Sequence, residues 1–125
     1  MNLVDSSGWL AYFTDGPNSG FFAKAILGTE EIVVPTIIFY EIFRKILSDK
    51  GEESALQTIG QLHRYKIVNL DEDLSLSAAR ISTEHKIPMA DSIIYATAKK
   101  FRATLWTQDE DFKEFPNVKY VQRKK

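Results

Sequence analysis

The chain contains no cysteine. Disulfide scaffolds, thiolate catalysis and cysteine-ligated zinc or iron–sulfur centres are therefore excluded. It has two histidines, His63 and His85, too few for a three-histidine metal site. Both sit among polar neighbours and read as surface residues. Glycine (six) and proline (four) are sparse, which excludes collagen-like and linker-rich sequences. Neither sign of charge is in excess: 16 basic and 17 acidic residues give a formal net charge of −1. Any contact with nucleic acid must then come from a local patch. No apolar run approaches the ~20 residues of a membrane span. The opening Met1-Asn2-Leu3-Val4-Asp5 lacks both the basic segment and the long apolar core of a secretory signal. A cytoplasmic protein is expected.

What is present suits one globular domain covering residues 1–125. The hydrophobic fraction is 44% and the charged fraction 26%, close to the soluble average. Short apolar runs alternate with longer amphipathic stretches, the pattern of βαβ units. Strands are expected at residues 2–5, 31–34, 67–68, 104–107 and 118–121. Helices are expected at 6–13, 21–27, 35–50, 52–65, 71–84 and 92–100, before a basic tail, Arg123-Lys124-Lys125. Right-handed crossovers then give a three-layer α/β/α sandwich around a five-stranded parallel sheet.

With no cysteine and two isolated histidines, carboxylates are the main candidates for chemistry. Asp5 ends the first strand. Glu41 interrupts the apolar segment Ile37-Ile-Phe-Tyr-Glu-Ile-Phe43. Asp91 stands where a loop meets an apolar helix. Asp109 follows the Leu105-Trp-Thr107 strand, with Asp111 two residues on. Each has a plain structural reading as well. Asp91 and Asp5 each suit a helix N-cap, which stabilises by roughly 1 kcal/mol. Glu41 can pair with Arg44 or Lys45 one turn away, and Asp109 and Asp111 can be solvated loop acids. Together they read differently, because ligands of parallel sheets bind beyond the carboxyl ends of strands, where strand order reverses. Two carboxylates ~5 Å apart repel by about 3 kcal/mol at an effective dielectric near 20. A hard divalent cation removes that conflict, and carboxylates with Mg²⁺ point to phosphoryl chemistry.

These residues, in this order, resemble the PIN-domain ribonucleases, and within them the VapC-type toxins of toxin–antitoxin pairs. Leu3-Val-Asp-Ser-Ser-Gly-Trp-Leu10 is similar to the family's first motif, with its Asp at Asp5. Val34-Pro-Thr-Ile-Ile-Phe-Tyr-Glu41 is similar to the second, with its helical Glu at Glu41. Ile87-Pro-Met-Ala-Asp-Ser-Ile-Ile-Tyr-Ala-Thr-Ala98 is similar to the third, with Asp91 as ligand. Leu105-Trp-Thr-Gln-Asp-Glu-Asp-Phe112 is similar to the fourth, with Asp109 as ligand and Asp111 beside it or capping a turn. The resemblance spans nearly the whole chain. It implies an Mg²⁺- or Mn²⁺-dependent endoribonuclease acting on RNA, a homodimer, and inhibition by a cognate antitoxin. Two alternatives stay open: an RNA-processing nuclease without an antitoxin, and a non-catalytic RNA- or protein-binding module.

Supporting roles fall to Ser6 and Thr107 beside the carboxylates, as hydrogen-bond donors or as groups satisfying local backbone. Arg44, Lys45, Lys99, Lys100 and Arg102 are candidates for holding RNA phosphates, or else part of a solvated face. The aromatic segment of Trp9, Tyr12, Phe13, Phe21 and Phe22 reads as core together with an oligomer or antitoxin surface.

Overall fold

The computed structural model describes residues 1–124; Lys125, the end of the expected basic tail, lies outside the described residues. The first strand, β1 (Asn2–Val4), leads into α1 (Ser6–Phe13) and α2 (Ser19–Ile26). Then follow β2 (Val33–Pro35), α3 (Thr36–Lys50), α4 (Glu52–Leu62) and β3 (Lys66–Val68). The chain continues through α5 (Glu72–His85), α6 (Met89–Phe101), β4 (Thr104–Thr107) and β5 (Val118–Tyr120). A single 3₁₀ turn, Glu110–Phe112, separates the last two strands.

All strand pairs are parallel, but the five strands do not form one sheet. Hydrogen bonding gives a three-stranded sheet, β1–β4–β5, and a separate pair, β2–β3. The two are joined by one bridge, between Asn2 and Ile32, supported by Asn2 N–H donating to the Glu31 carbonyl at 2.8 Å. The expected five-stranded sheet is corrected on this point. The strands are three or four residues long, so the ordinary twist between neighbours leaves room for little pairing where β1 and β2 diverge.

Across both sheets the spatial order is β3–β2–β1–β4–β5. From β1 the chain steps outward through β2 to β3, then crosses back to β4 and β5. The right-handed crossover rule carries α1–α4 over one face and α5–α6 over the other. The order reverses between β1 and β4, and the crevice beyond their carboxyl ends is where a ligand site is expected.

Core composition explains why these segments hold together. Leu3, Val4, Val33, Val34 and Leu105 on the strands are fully buried, as are Ile38 and Ile42 on α3. Helix α6 is buried from Ser92 through Ala98. Small residues, Ala96 and Ala98, let it pack closely on several neighbours. Most of the aromatic segment is core. Trp9 and Phe22 are fully buried, and Tyr12 and Phe13 pack around Trp9 with Tyr65. Tyr12, Phe13 and Phe21 are only partly buried against this core.

Helix α1 approaches β1 and α2 closely because Gly8 has no side chain. A Cβ there would lie 2.5 Å from the Phe22 ring and 2.7 Å from Val4 Cγ1. Both neighbours are fully buried and cannot yield freely. Gly8→Ala should therefore destabilise by about 1–3 kcal/mol, the usual range for overpacking. Urea denaturation would measure this; a loss under about 0.5 kcal/mol would show that the contact relaxes freely.

Candidate active site

Asp5 directly follows β1, and its extended backbone (φ −73°, ψ 172°) makes it the N-cap of α1. One carboxylate oxygen, Oδ1, accepts from the Gly8 N–H at 2.8 Å and from the Ser7 hydroxyl at 2.8 Å. The other, Oδ2, accepts a short hydrogen bond from the Thr107 hydroxyl across the β1–β4 gap. Thr107 Oγ1 in turn accepts from the Asp109 N–H at 2.9 Å, which orients its proton toward Asp5. The cap reading and the site reading of Asp5 therefore hold together. Burial raises its pKa to about 6, against the lowering effect of the Thr107, Gly8 and Ser7 hydrogen bonds, and the Asp109 charge adds to the rise. Thr107→Val would leave a buried carboxylate oxygen and the Asp109 N–H without partners. It should cost about 1–3 kcal/mol, whereas Thr107→Ser should recover most of the loss in thermal denaturation. A Val variant as stable as the parent would remove Thr107 from this role.

Glu41 lies in the second turn of α3, half-buried, and accepts from the Ser6 hydroxyl at 2.7 Å. It makes no ion pair with Arg44 or Lys45; the Lys45 ammonium instead lies 3.4 Å from Asp49. The helix thus points Glu41 toward α1 and leaves Arg44 unengaged by a carboxylate among the described residues.

Asp91 is not an N-cap. Helix α6 begins at Met89 with Pro88 as its cap (φ −61°, ψ 161°), so Asp91 is the third helical residue. Proline fixes the extended turn and has no N–H to satisfy, which moves the helix start three residues ahead of the expected one. The Asp91 carboxylate receives no hydrogen bond among those of the described residues. Its pKa rises to about 7, first by desolvation, then through the charges of Asp109, Glu41, Asp111 and Asp5. The other four carboxylates therefore all lie within electrostatic range of Asp91. Asp91, Asp109 and Asp111 each present an oxygen within 4.8 Å of the others.

Asp109, after β4, caps the 3₁₀ turn by accepting the Asp111 N–H at 2.9 Å. The turn folds Asp111 back toward the cluster, so this residue joins it rather than standing apart in a loop. None of the five carboxylates has a cationic partner among the described residues. Oxygen-only donors, mutual repulsion and absent counter-charge are the conditions that suit a hard divalent cation, so the residues present fit Mg²⁺ or Mn²⁺.

The five candidate phosphate-binding cations separate into two groups. Arg44 and Lys45 lie one turn from Glu41 and line the same groove as Ser6. Lys99, Lys100 and Arg102 do not lie near the cluster. They lie eight to eleven residues beyond Asp91 on or just after α6, about 12–16 Å along the helix. Arg102 just precedes β4, at the opposite end of the strand from Asp109. Lys100 lies 3.8 Å from Asp71, and its ammonium approaches the Phe101 ring. His63 and His85 are exposed, as expected.

One buried polar group escaped the sequence reading. The Asn18 amide donates to Gln108 Oε1 at 2.8 Å and to the Gln122 carbonyl at 3.1 Å. The Gln108 amide donates to the Ser7 carbonyl at 3.1 Å. Both side chains are buried. They tie the first turn of α1 to the end of β4, the two elements that carry Asp5 and Asp109. The only sequence signal was Gln108 standing between the two site residues Thr107 and Asp109.

The PIN domain family model matches residues 3–118. No curated protein sequence matches the chain. Solved structures share its fold. A toxin–antitoxin complex from Klebsiella pneumoniae aligns at TM-score 0.79 and 21% identity, over 95% of this chain and 96% of that one. VapC20 from Mycobacterium tuberculosis, described as a sarcin–ricin loop cleaving toxin, aligns at TM-score 0.79 and 16% identity, over 95% and 99%. VapBC2 from Rickettsia felis, bound to a fragment of promoter DNA, aligns at TM-score 0.75 and 20% identity, over 97% of both chains.

Proposed function

The chain belongs to the PIN domain family, and from that premise we propose that it is a divalent-metal-dependent endoribonuclease, the toxin of a type II toxin–antitoxin pair. The observation that carries this reading is the gathering of four carboxylates around Asp91, with Asp109 and Asp111 closest and no cationic partner among the described residues. A site kept for stability alone would not accumulate that repulsion. The toxin assignment draws on the toxin–antitoxin complexes that share the fold. RNA as substrate, a cytoplasmic location, a homodimer and a cognate antitoxin belong to the same reading. Among the described residues, no helix is long and apolar enough to cross a membrane.

Asp5, Asp91 and Asp109, with Glu41, would hold Mg²⁺ or Mn²⁺, and Asp111 lies close enough to assist. When bound, the cation supplies a Lewis acid for the phosphate and lowers the pKa of water used in hydrolysis. The chain's own residues do the positioning. Thr107, held by the Asp109 N–H, fixes the orientation of the Asp5 carboxylate. Ser6 fixes Glu41. The α6 backbone sets Asp91 in the first turn, facing the end of β4. Arg44 offers a guanidinium to a phosphate beside the cluster, with a donor fork suited to bidentate contact.

The test of the toxin assignment is co-expression with the product of a small reading frame adjacent to the gene. That product should copurify with the chain and suppress internal cleavage of RNA. A partnerless protein that cleaves RNA unchecked in its own host would return the reading to an RNA-processing nuclease.

A further inference from the structure

We propose that Tyr40 and Arg44 form a nucleotide subsite next to the carboxylates, in which Tyr40 stacks on an unpaired base and Arg44 holds the adjoining phosphate. This deepens the ribonuclease reading and rests on it, by making the substrate single-stranded beside the scissile bond.

Three observations carry the proposal. A groove of about 480 Å³ runs between α1 and α3, and its lining includes Ser6, Leu10, Tyr40, Glu41 and Arg44. Glu41 and Ser6 belong to the carboxylate site, so a strand whose phosphate reaches that site enters the groove at once. Tyr40 is 63% exposed although it is a large aromatic. It packs against no other ring among the described residues, unlike Trp9, Tyr12, Tyr65 and Tyr95, which all do. Finally, Arg44 has no carboxylate partner among the described residues, whereas the next residue, Lys45, is engaged by Asp49.

Helix geometry couples these groups. Tyr40 and Arg44 are four residues apart and Glu41 and Arg44 three apart, so each pair neighbours on one surface of α3. An exposed aromatic beside a free guanidinium, both next to an acid cluster suited to phosphate chemistry, is the pairing that single-stranded nucleic acid requires: a ring for the base and a charge for the backbone. A duplex would not use it. Paired bases are stacked on their neighbours and present edges rather than faces, so sequence and stacking contacts to RNA fall on unpaired nucleotides.

The test uses the full chain in EDTA, so that binding is read apart from turnover. Repulsion from the metal-free carboxylates is common to all variants and cancels in their ratios. Fluorescence anisotropy of a 5′-labelled, unstructured octaribonucleotide should show Tyr40→Ala binding about 10-fold more weakly, within the range for loss of one stacked base. Tyr40→Phe keeps the ring and should bind within twofold of the parent. Leu56→Ala, at another exposed apolar residue on α4, should do the same. Arg44→Ala should weaken binding and reduce the log–log salt slope by about one phosphate contact. A blunt-ended RNA duplex should bind all the Tyr40 variants equally. If Tyr40→Ala binds the octamer like the parent, or if the duplex loses as much as the single strand, the subsite is wrong. Cleavage by the same proteins in Mg²⁺ separates the two ideas. A chain that cleaves RNA while Tyr40→Ala binds normally retains the nuclease reading without the subsite. A chain that binds through Tyr40 but cleaves nothing retains the subsite without the nuclease.

Discussion

Glu41→Gln should lower metal-dependent RNA cleavage by about 10²- to 10⁴-fold, the range for loss of one group acting at the transition state. The substitution is nearly isosteric. The Gln carbonyl oxygen can still accept the Ser6 hydroxyl now donated to Glu41 Oε1, so α1 and α3 keep their contact. What is lost is one negative charge facing Asp91. Thermal denaturation without metal should show the variant folded and no less stable than the parent. A folded variant that cleaves RNA within threefold of the parent would exclude Glu41 from the chemistry.

Asp91→Asn should make the metal-free protein more stable and remove most of the stabilisation that Mn²⁺ gives the parent. The sign follows from the pKa shifts. Asp91 and Asp5 are raised to about 7 and about 6 in the folded chain, above their unfolded values. Folded protein therefore holds these protons more tightly than unfolded protein. The penalty is absent below pH ~4, where both states are protonated. It grows as pH rises through 4 to 7 and is fully present above that. For fully buried Asp5 the shift corresponds to about 3 kcal/mol. Asp91 is only half-buried, so solvent screening reduces its share to about 1–2 kcal/mol. At pH 8 in EDTA, Asp91→Asn should melt about 4–8 °C higher than the parent, and the difference should shrink toward zero near pH 4. A bound cation reverses the ranking, because binding to the folded state stabilises the parent. Melting curves at both pH values, in EDTA and in Mn²⁺, give all four numbers. A variant no more stable in EDTA that keeps the full Mn²⁺ shift would reduce Asp91 to a residue of the helix's first turn.

The candidate site was legible because its residues are acids in places where acids are costly. Asp5 and Asp109 end strands, and Glu41 stands in an apolar run. What sequence could not fix was which role each acid combined with another. Asp5 proved to be both cap and cluster member, and Asp91 was misplaced by three residues of helix, because Pro88 rather than Asp91 begins α6. The division of the sheet was hidden for a different reason. Strand pairing depends on how far β1 and β2 splay after the Asn2–Ile32 bridge, which the alternation of apolar residues does not encode. Lys99, Lys100 and Arg102 were drawn toward the site by their proximity in sequence to its elements. Counting the rise along α6 from Asp91 would have removed them. Asn18 stands beside Gly16 and Pro17, where a polar residue suits a turn and gives no sign of burial. Its partner Gln108, 90 residues away, supplies the reason it is inside.

The account stands most directly on cleavage of a purified RNA by the parent chain and by Asp5→Asn, each in EDTA and in Mg²⁺ or Mn²⁺. Asn at position 5 can still cap α1 through the Gly8 N–H, so loss of fold does not confuse the result. The parent should cleave only with metal, and Asp5→Asn should be inactive in both conditions. Equal cleavage by the parent in EDTA, or metal-dependent cleavage by Asp5→Asn at the parent's rate, would contradict a carboxylate-held metal centre.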